Sequence, residues 1–313
     1  SSDEYLNYTT MIKRTLYFGN PAYLSTKQEQ LVINLPDAQG FDNKSGLNTI
    51  PIEDIGVVIL DNQQITITHG VIEKLLANNA AVITCNSTHH PTGLLLNLDG
   101  NTIQQERWEN QIGASEPLKK QLWQQTIQAK IRNQAAVLAQ QGIDVQNMKH
   151  WIQQVQSGDA ANHEARAAAY YWANVFPKQL GFKRGREEAP PNNILNYGYA
   201  ILRAITARSL VASGMLPTLG IHHHNRYNSY CLADDIMEPY RPYVDMVVLQ
   251  LIQQGEDYTQ LSKPIKTELL QIPTIDVTIE GRKSPLMIAL QQTTATLAKC
   301  FDKSLRKISY PEL

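Results

Sequence analysis

Two kinds of apolar spacing divide the chain. From Met11 to about Leu98, hydrophobic residues come in short runs rich in branched side chains, separated at close intervals by turn residues. Residues 12–17 alternate, Gly19-Asn20-Pro21 turns the chain into 22–25, and 29–35 alternates again before Pro36-Asp37 and a loop around Gly40. Residues 50–52, 57–60, 65–68, 81–84 and 94–96 follow in the same manner. Such runs predict strands, and their regular spacing predicts an antiparallel meander or small sandwich. One amphipathic helix interrupts them over 69–79, with Val71, Ile72, Leu75 and Leu76 at helical spacing. After Asp99-Gly100-Asn101 the period changes. Leu118, Leu122, Ile127, Ile131, Ala135 and Leu138 recur three to five residues apart, which predicts a long helical run over 106–141. Further helices are predicted over 147–156, 160–175, 192–213, 234–254 and 285–305, interrupted by Gly- and Pro-containing stretches at 181–191 and 214–220. The predicted class is α+β, with an N-terminal β-rich domain (11–100) and a larger all-α C-terminal domain (101–313). Their boundary falls near 99–103. Residues 1–10 precede Met11 and a fresh apolar pattern, and are expected to be an expression remnant outside the fold.

Composition narrows the class without naming a function. The chain is 42% hydrophobic, enough to bury a sizeable core, and its net charge of -1 gives no global attraction to nucleic acid or membrane. A nucleic-acid role therefore needs local basic patches. Lys183, Arg184 and Arg186 form one, and Lys299, Lys303, Arg306 and Lys307 another, although each also reads as an ordinary solvated surface. Cys85, Cys231 and Cys300 are odd in number, far apart and free of any CxxC spacing. That pattern fits a reducing cytoplasm and argues against disulfides or a structural zinc site. No apolar run reaches the roughly 20 residues a spanning helix needs, and no signal-peptide pattern is present.

The candidate chemistry gathers around Gly220-Ile221-His222-His223-His224-Asn225 and the acidic turn Asp234-Asp235-Ile236-Met237-Glu238-Pro239-Tyr240-Arg241-Pro242. Imidazole and carboxylate oxygens in close succession suit a divalent cation, but a further ligand must come from elsewhere. Glu164 is the candidate, at the head of the alanine-rich face of Asn162-His163-Glu164-Ala165-Arg166-Ala167-Ala168-Ala169-Tyr170-Tyr171-Trp172. Taken alone it also reads as a surface glutamate on a closely packed helix. In an extended segment His222 and His224 face one way and His223 the other. His89 and His90, before Pro91, read as an exposed turn. Asn196 and Gly198 interrupt an apolar helical run, and a mid-helix glycine costs about 1 kcal/mol, so close packing or a ligand is expected there.

Taken in order, these motifs resemble the Cas1 family, the integrases of CRISPR adaptation. The resemblance rests on the Glu164 helix, then Leu195-Asn196-Tyr197-Gly198-Tyr199, then Leu219-Gly220-x-x-His223, then Asp235-x-Met237-Glu238-x-x-Arg241-Pro242, with Ile50 to Ile55 and Pro91-Thr92-Gly93-Leu94 upstream. It runs from Met11 to the C-terminus. The wording around the histidines and the acidic turn is most similar to Cas1 of Cas9-associated (type II) systems. The resemblance implies a metal site of Glu164, His223 and Glu238, holding Mg²⁺ or Mn²⁺, with these three also catalytic. Many members carry aspartate where Glu238 stands, so Asp235 remains an alternative or supporting acid, and Asn196 a further supporting residue. The implied reaction is attack of a DNA fragment's 3′-hydroxyl on the repeat phosphodiester, a transesterification. The implied partners are double-stranded DNA (protospacer and repeat with its leader), Cas2, a homodimer within a Cas1–Cas2 heterohexamer, and Cas9 with Csn2. Lys183, Arg184 and Arg186 are the expected DNA contacts, and the N-terminal domain the expected dimer surface. Two rival readings stay open: a metal-dependent endonuclease that only hydrolyses, and a non-enzymatic DNA-binding scaffold.

Overall fold

The computed structural model describes residues 13–36, 47–87, 91–99 and 104–313. Residues 1–10, the loop around Gly40, His89, His90 and most of the predicted boundary at 99–103 lie outside them.

The first part of the chain forms β1 (Arg14–Phe18), β2 (Ala22–Lys27), β3 (Gln30–Asn34), β4 (Leu47–Pro51), β5 (Ile55–Leu60), β6 (Ile65–Ile67), α1 (His69–Ala77), β7 (Ala81–Cys85) and β8 (Pro91–Leu95). These strands build two four-stranded sheets, ordered β1-β5-β7-β8 and β4-β3-β2-β6. The expected antiparallel meander is thus replaced by mixed sheets. β1, β5 and β7 run parallel, as do β2 and β6, while β2-β3, β3-β4 and β7-β8 are antiparallel. The reason lies in β5 and β7. β5 is buried on both faces, as an interior parallel strand must be, so its run Ile55-Gly56-Val57-Val58-Ile59 is continuous rather than alternating. Val58 and Val82 face a core shared with Leu24, Leu31, Val71 and Leu75. Val57, Ile59, Ala81 and Ile83 face the helices, within a second core that extends to the C-terminus.

The second part contains α2 (Gln104–Ile112), α3 (Glu116–Gln140), α4 (Gln146–Gln154), α5 (His163–Asn174), α6 (Asn192–Ala212), α7 (Cys231–Ile236), α8 (Arg241–Gln253), α9 (Lys263–Leu269), β9 (Asp276–Ile279), β10 (Arg282–Pro285) and α10 (Leu286–Phe301). α6 is buried on nearly every side, which makes it the central helix of this layer. Gly198 is explained by close packing, since a Cβ there would lie 2.5 Å from Val244 Cγ1 on α8. Three expectations are corrected. The run over 106–141 is two helices, because Ser115 caps a new start, accepting from the Leu118 amide, with Pro117 in the first turn. The run over 234–254 is also split, by a 3-10 turn at Glu238–Tyr240. Pro239 and Pro242 each remove a backbone donor from what would have been one helix. The C-terminal part is not wholly helical, since β9 and β10 pair as a hairpin closed by Glu280 and Gly281 at positive φ. Among the described residues no helix is long and apolar enough to cross a membrane.

Candidate active site

α3 is the spine on which the site is assembled. Its N-terminal half carries Trp123, its middle Lys130 and Asn133, all on one stripe at helical spacing. Asn133 Nδ2 donates to the carbonyls of Pro239 (2.8 Å) and Pro311 (3.0 Å). That pins the acidic turn and the C-terminal segment to one point of the helix. One turn earlier, Lys130 faces the two predicted acidic ligands. Its Nζ lies 2.8 Å from Glu164 Oε1 and 2.5 Å from Glu238 Oε2.

Glu164 is placed by the start of α5. Asp159, in the preceding turn, accepts from the backbone amides of His163 and Glu164, each at 2.9 Å. Asn162 stands between them in the left-handed region (φ 55°), so it cannot cap the helix with its own side chain, and Asp159 does so instead. Glu238 is almost wholly buried in the 3-10 turn. Its Oε1 accepts from Arg241 Nε at 3.0 Å, while its Oε2 meets Lys130 as an ion pair but accepts no well-directed hydrogen bond. Burial pushes the Glu238 carboxyl up, but Arg241 and then Lys130 outweigh burial and hold it at about 2. Lys130 in turn is held above its ordinary value, since Glu238 and Glu164 outweigh its burial.

His223 approaches from the other side. Asp235, fully buried on α7, accepts from the amides of Ile221 (2.8 Å) and His222 (2.9 Å), from the His223 amide, and from His223 Nδ1 in a short contact. One carboxylate therefore organises the whole loop and occupies one ring nitrogen of His223, leaving Nε2 as the free one. The Asp235 hydrogen bond pushes the imidazole pKa up against burial, and Glu238 and Glu164 add to the rise. Gly220 is required by this closeness, because a Cβ there would lie 2.5 Å from the His223 carbonyl oxygen and 2.8 Å from Asp235 Oδ2. Trp123 stacks on His222 (centroids 4.1 Å apart, planes 2° apart) and meets His223 edge-on. Burial and the neighbouring His223 push His222 down.

The other candidates are placed elsewhere. Asp234 forms a two-pronged pair with Arg203, both contacts 2.7 Å, and does not face Glu164. Asn196 accepts from Arg184 Nη1 (3.1 Å) and donates to the Arg186 carbonyl, so it braces the 184–186 loop. Arg184 is held inward by Asn192 and lies over the rings of Trp172 and Tyr199. Lys183 and Arg186 are exposed, as are Lys299, Lys303, Arg306 and Lys307. His224 lines an open cavity of about 530 Å³ beside His223, together with Lys119, Asn225, Arg226 and Asn228. Trp123, Lys130, Asn133 and Asp159 were not singled out by sequence reasoning. The available signal for Lys130 was a charged residue seven positions after Trp123, on a stripe otherwise apolar or buried.

Two buried or half-buried carboxylates and one imidazole nitrogen are a hard, oxygen-rich donor set suited to Mg²⁺ or Mn²⁺. The Glu238 oxygen without a well-directed hydrogen bond, set against the same ammonium as Glu164, fits such an ion. Among the described residues, no three His, Cys, Asp or Glu side chains stand around one point as a preformed cation site. The two glutamates converge on Lys130 instead.

A family profile described as CRISPR associated protein Cas1 matches residues 16–263. The chain is 34% identical to the CRISPR-associated endonuclease Cas1 of Neisseria meningitidis serogroup C (strain 8013), over 97% of each chain. Its fold is similar to that of a casposase bound to integration product, with TM-score 0.78 and 18% identity over 94% of this chain and 92% of that one. It is also similar to part of a Cas6-RT-Cas1–Cas2 complex, with TM-score 0.73 and 20% identity over 96% of this chain and 36% of that one. The motif order along the sequence, the two-part fold and the match along nearly the whole chain agree: the chain belongs to the Cas1 family of CRISPR-associated proteins.

Proposed function

We propose that the protein is a metal-dependent DNA strand-transfer enzyme. It joins the 3′-hydroxyl of a DNA fragment to a repeat phosphodiester in a CRISPR array, and acts with Cas2. The observation that carries this reading is the meeting of Glu164 and Glu238 on a single cationic group, in electrostatic reach of His223. Relatives named as endonucleases, and structural neighbours in a Cas1–Cas2 complex and on an integration product, support it. Glu164, Glu238 and His223 Nε2 would hold Mg²⁺ or Mn²⁺, which when bound would polarise the scissile phosphodiester and stabilise the departing oxygen.

The chain's own groups have separable tasks. Arg241 stays paired with Glu238 and keeps the carboxylate ionised and fixed. Asp235 holds the His223 ring and prevents Nδ1 from competing with Nε2. These contacts favour Glu238 as the acidic ligand, with Asp235 supporting it, because the oxygens of Asp235 are already taken by the loop. The cavity beside His223, with Lys119, Arg226 and two asparagines, offers cationic and hydrogen-bonding groups to a sugar-phosphate backbone. Tyr227, next in sequence to the lining residues Arg226 and Asn228, is 84% exposed with Arg226 over its ring, and offers a stacking face to an unpaired base.

The test is an integration assay with a fragment bearing free 3′-hydroxyls, a repeat-bearing plasmid, Cas2 and Mn²⁺. Wild type is expected to give joined product, and Glu164→Ala, His223→Ala and Glu238→Ala each to reduce it by about 10²-fold or more, the scale of losing a group essential to the chemistry. Cleaved but never joined plasmid would favour the hydrolytic endonuclease. Unchanged product in all three variants would remove these residues from the chemistry, and neither joined nor cleaved product from wild type would leave a DNA-binding scaffold.

A further inference from the structure

Among the described residues, Lys130 is the one charged group between the predicted ligands that the proposed reaction does not use. Its ammonium lies between the two carboxylates assigned to a divalent cation, 2.8 Å from Glu164 and 2.5 Å from Glu238. Its side chain is only 12% exposed, so this is not a solvated surface pair. The other contacts in the neighbourhood belong to separate partners: Arg241 to Glu238 Oε1, His223 and the loop amides to Asp235, Arg203 to Asp234. Among the described residues, Lys130 alone spans the gap between Glu164 and Glu238.

We propose that Lys130 is a place-holding counter-ion: it occupies the cation position between Glu164 and Glu238 in the metal-free protein and withdraws when a divalent metal enters. The inference rests on the metal-dependent reading of the site. Two facing carboxylates at such depth repel each other unless a positive charge lies between them. The ammonium removes that repulsion and keeps the 3-10 turn closed on α3. A lysine suits this task, being a point charge on a flexible four-carbon stem that can retract, whereas an arginine would clamp both carboxylates with its planar fork. The arrangement also explains how both glutamates can be oriented inward while no preformed trio of ligands stands around one point. Its thermodynamic consequence is that metal binds only the fraction of molecules in which Lys130 has withdrawn, so the apparent affinity is lowered by that fraction.

The test is Mn²⁺ binding to the full chain without DNA, followed by electron paramagnetic resonance well below the unfolding temperature. Lys130→Met is expected to tighten binding by roughly tenfold or more, the factor for a competent fraction of about one in ten. Its metal-free form is expected to melt lower than wild type and to gain more from Mn²⁺. Lys130→Arg keeps the charge and is expected to bind Mn²⁺ more weakly than wild type. Lys120→Met, an exposed site on the same helix with the same charge change, is expected to bind as wild type does. Equal or weaker binding by Lys130→Met, or an equal gain in Lys120→Met, overturns the place-holder alone. If Lys130→Met does not fold, Lys130→Arg decides, and binding at or above wild-type affinity overturns it. If Glu164→Gln and Glu238→Gln leave Mn²⁺ binding unchanged, the metal reading fails and the place-holder with it.

Discussion

Asp245 shows how far burial alone can move a side chain here. It sits on α8, almost without exposure, and accepts from the hydroxyls of Tyr171 and Tyr199. Burial pushes its carboxyl up from 3.8 to about 6, although the two tyrosines and the nearby Arg241 and Arg184 favour the ionised form. A raised carboxyl binds its proton more tightly in the fold than in the unfolded chain. Its contribution to stability is therefore full below pH 3.8 and is lost as pH rises through about 6. That shift corresponds to on the order of 3 kcal/mol. Asp245→Asn is thus expected to gain stability relative to wild type between pH 4.5 and 7.5, as measured by urea midpoints at the two pH values. The acidic shift of Glu238 acts below that window and does not obscure the comparison. At this scale the sequence exposed the reactive types but not their supports. Glu164, His223 and Glu238 stand out through motif spacing. Trp123 and Lys130 do not, because each serves a residue tens of positions away and carries no local pattern of its own. Asp159 was masked by Asn162, which holds the ordinary cap position while Asp159 accepts the amides four and five residues further on.

Loops between helices carry the nucleic-acid hypothesis. The segment joining α5 to α6 is anchored by aromatic packing of Phe182 on Phe176 and Trp172, and by Arg184 between Trp172 and Tyr199. Those inward anchors leave Lys183 and Arg186 facing solvent. The basic cluster therefore divides by role. The double variant Lys183→Ala/Arg186→Ala is expected to bind double-stranded DNA more weakly, with the slope of log affinity against log salt flattened by up to about 2, near 0.9 per lost phosphate contact. Melting temperature is expected to stay the same. Arg184→Ala is expected instead to lower stability by about 1–2 kcal/mol, because Asn192 and Asn196 lose a charged donor. Equal effects of the two changes on DNA binding would remove the division. Long periodic helices such as α6 were legible, whereas the breaks within them were not. Ser115 with Pro117, and Pro239 with Pro242, are ordinary start signals that strong flanking periodicity masks. The β2-β3 turn was hidden for another reason: Gln28 and Glu29 occupy positive φ where glycine or asparagine would have announced it.

Across the whole molecule the two halves are joined by a sheet and a buried charge. The Nζ of Lys266, on α9, lies 2.5 Å from Asp61 Oδ2 and donates to Tyr17 OH at 2.7 Å, with both charges nearly fully buried. Lys266→Met removes the ammonium that faces the buried Asp61 carboxylate and is expected to cost about 3–5 kcal/mol, read from urea denaturation. A loss under 1 kcal/mol would show that water or another group takes over. The order of a β-rich part and a helical part was legible because hydrophobic period changes from two to three and four near residue 100. Their mutual dependence was not, since period says nothing about what covers a second face. β5 and β7 lend one face to each core, through Val58 and Val82 on one side and Val57, Ile59, Ala81 and Ile83 on the other. A cut between the halves would strip four aliphatic side chains of their cover. Neither fragment then keeps a closed interior, so the chain is expected to give one calorimetric unfolding transition, with the two parts of the sequence melting as a single cooperative body.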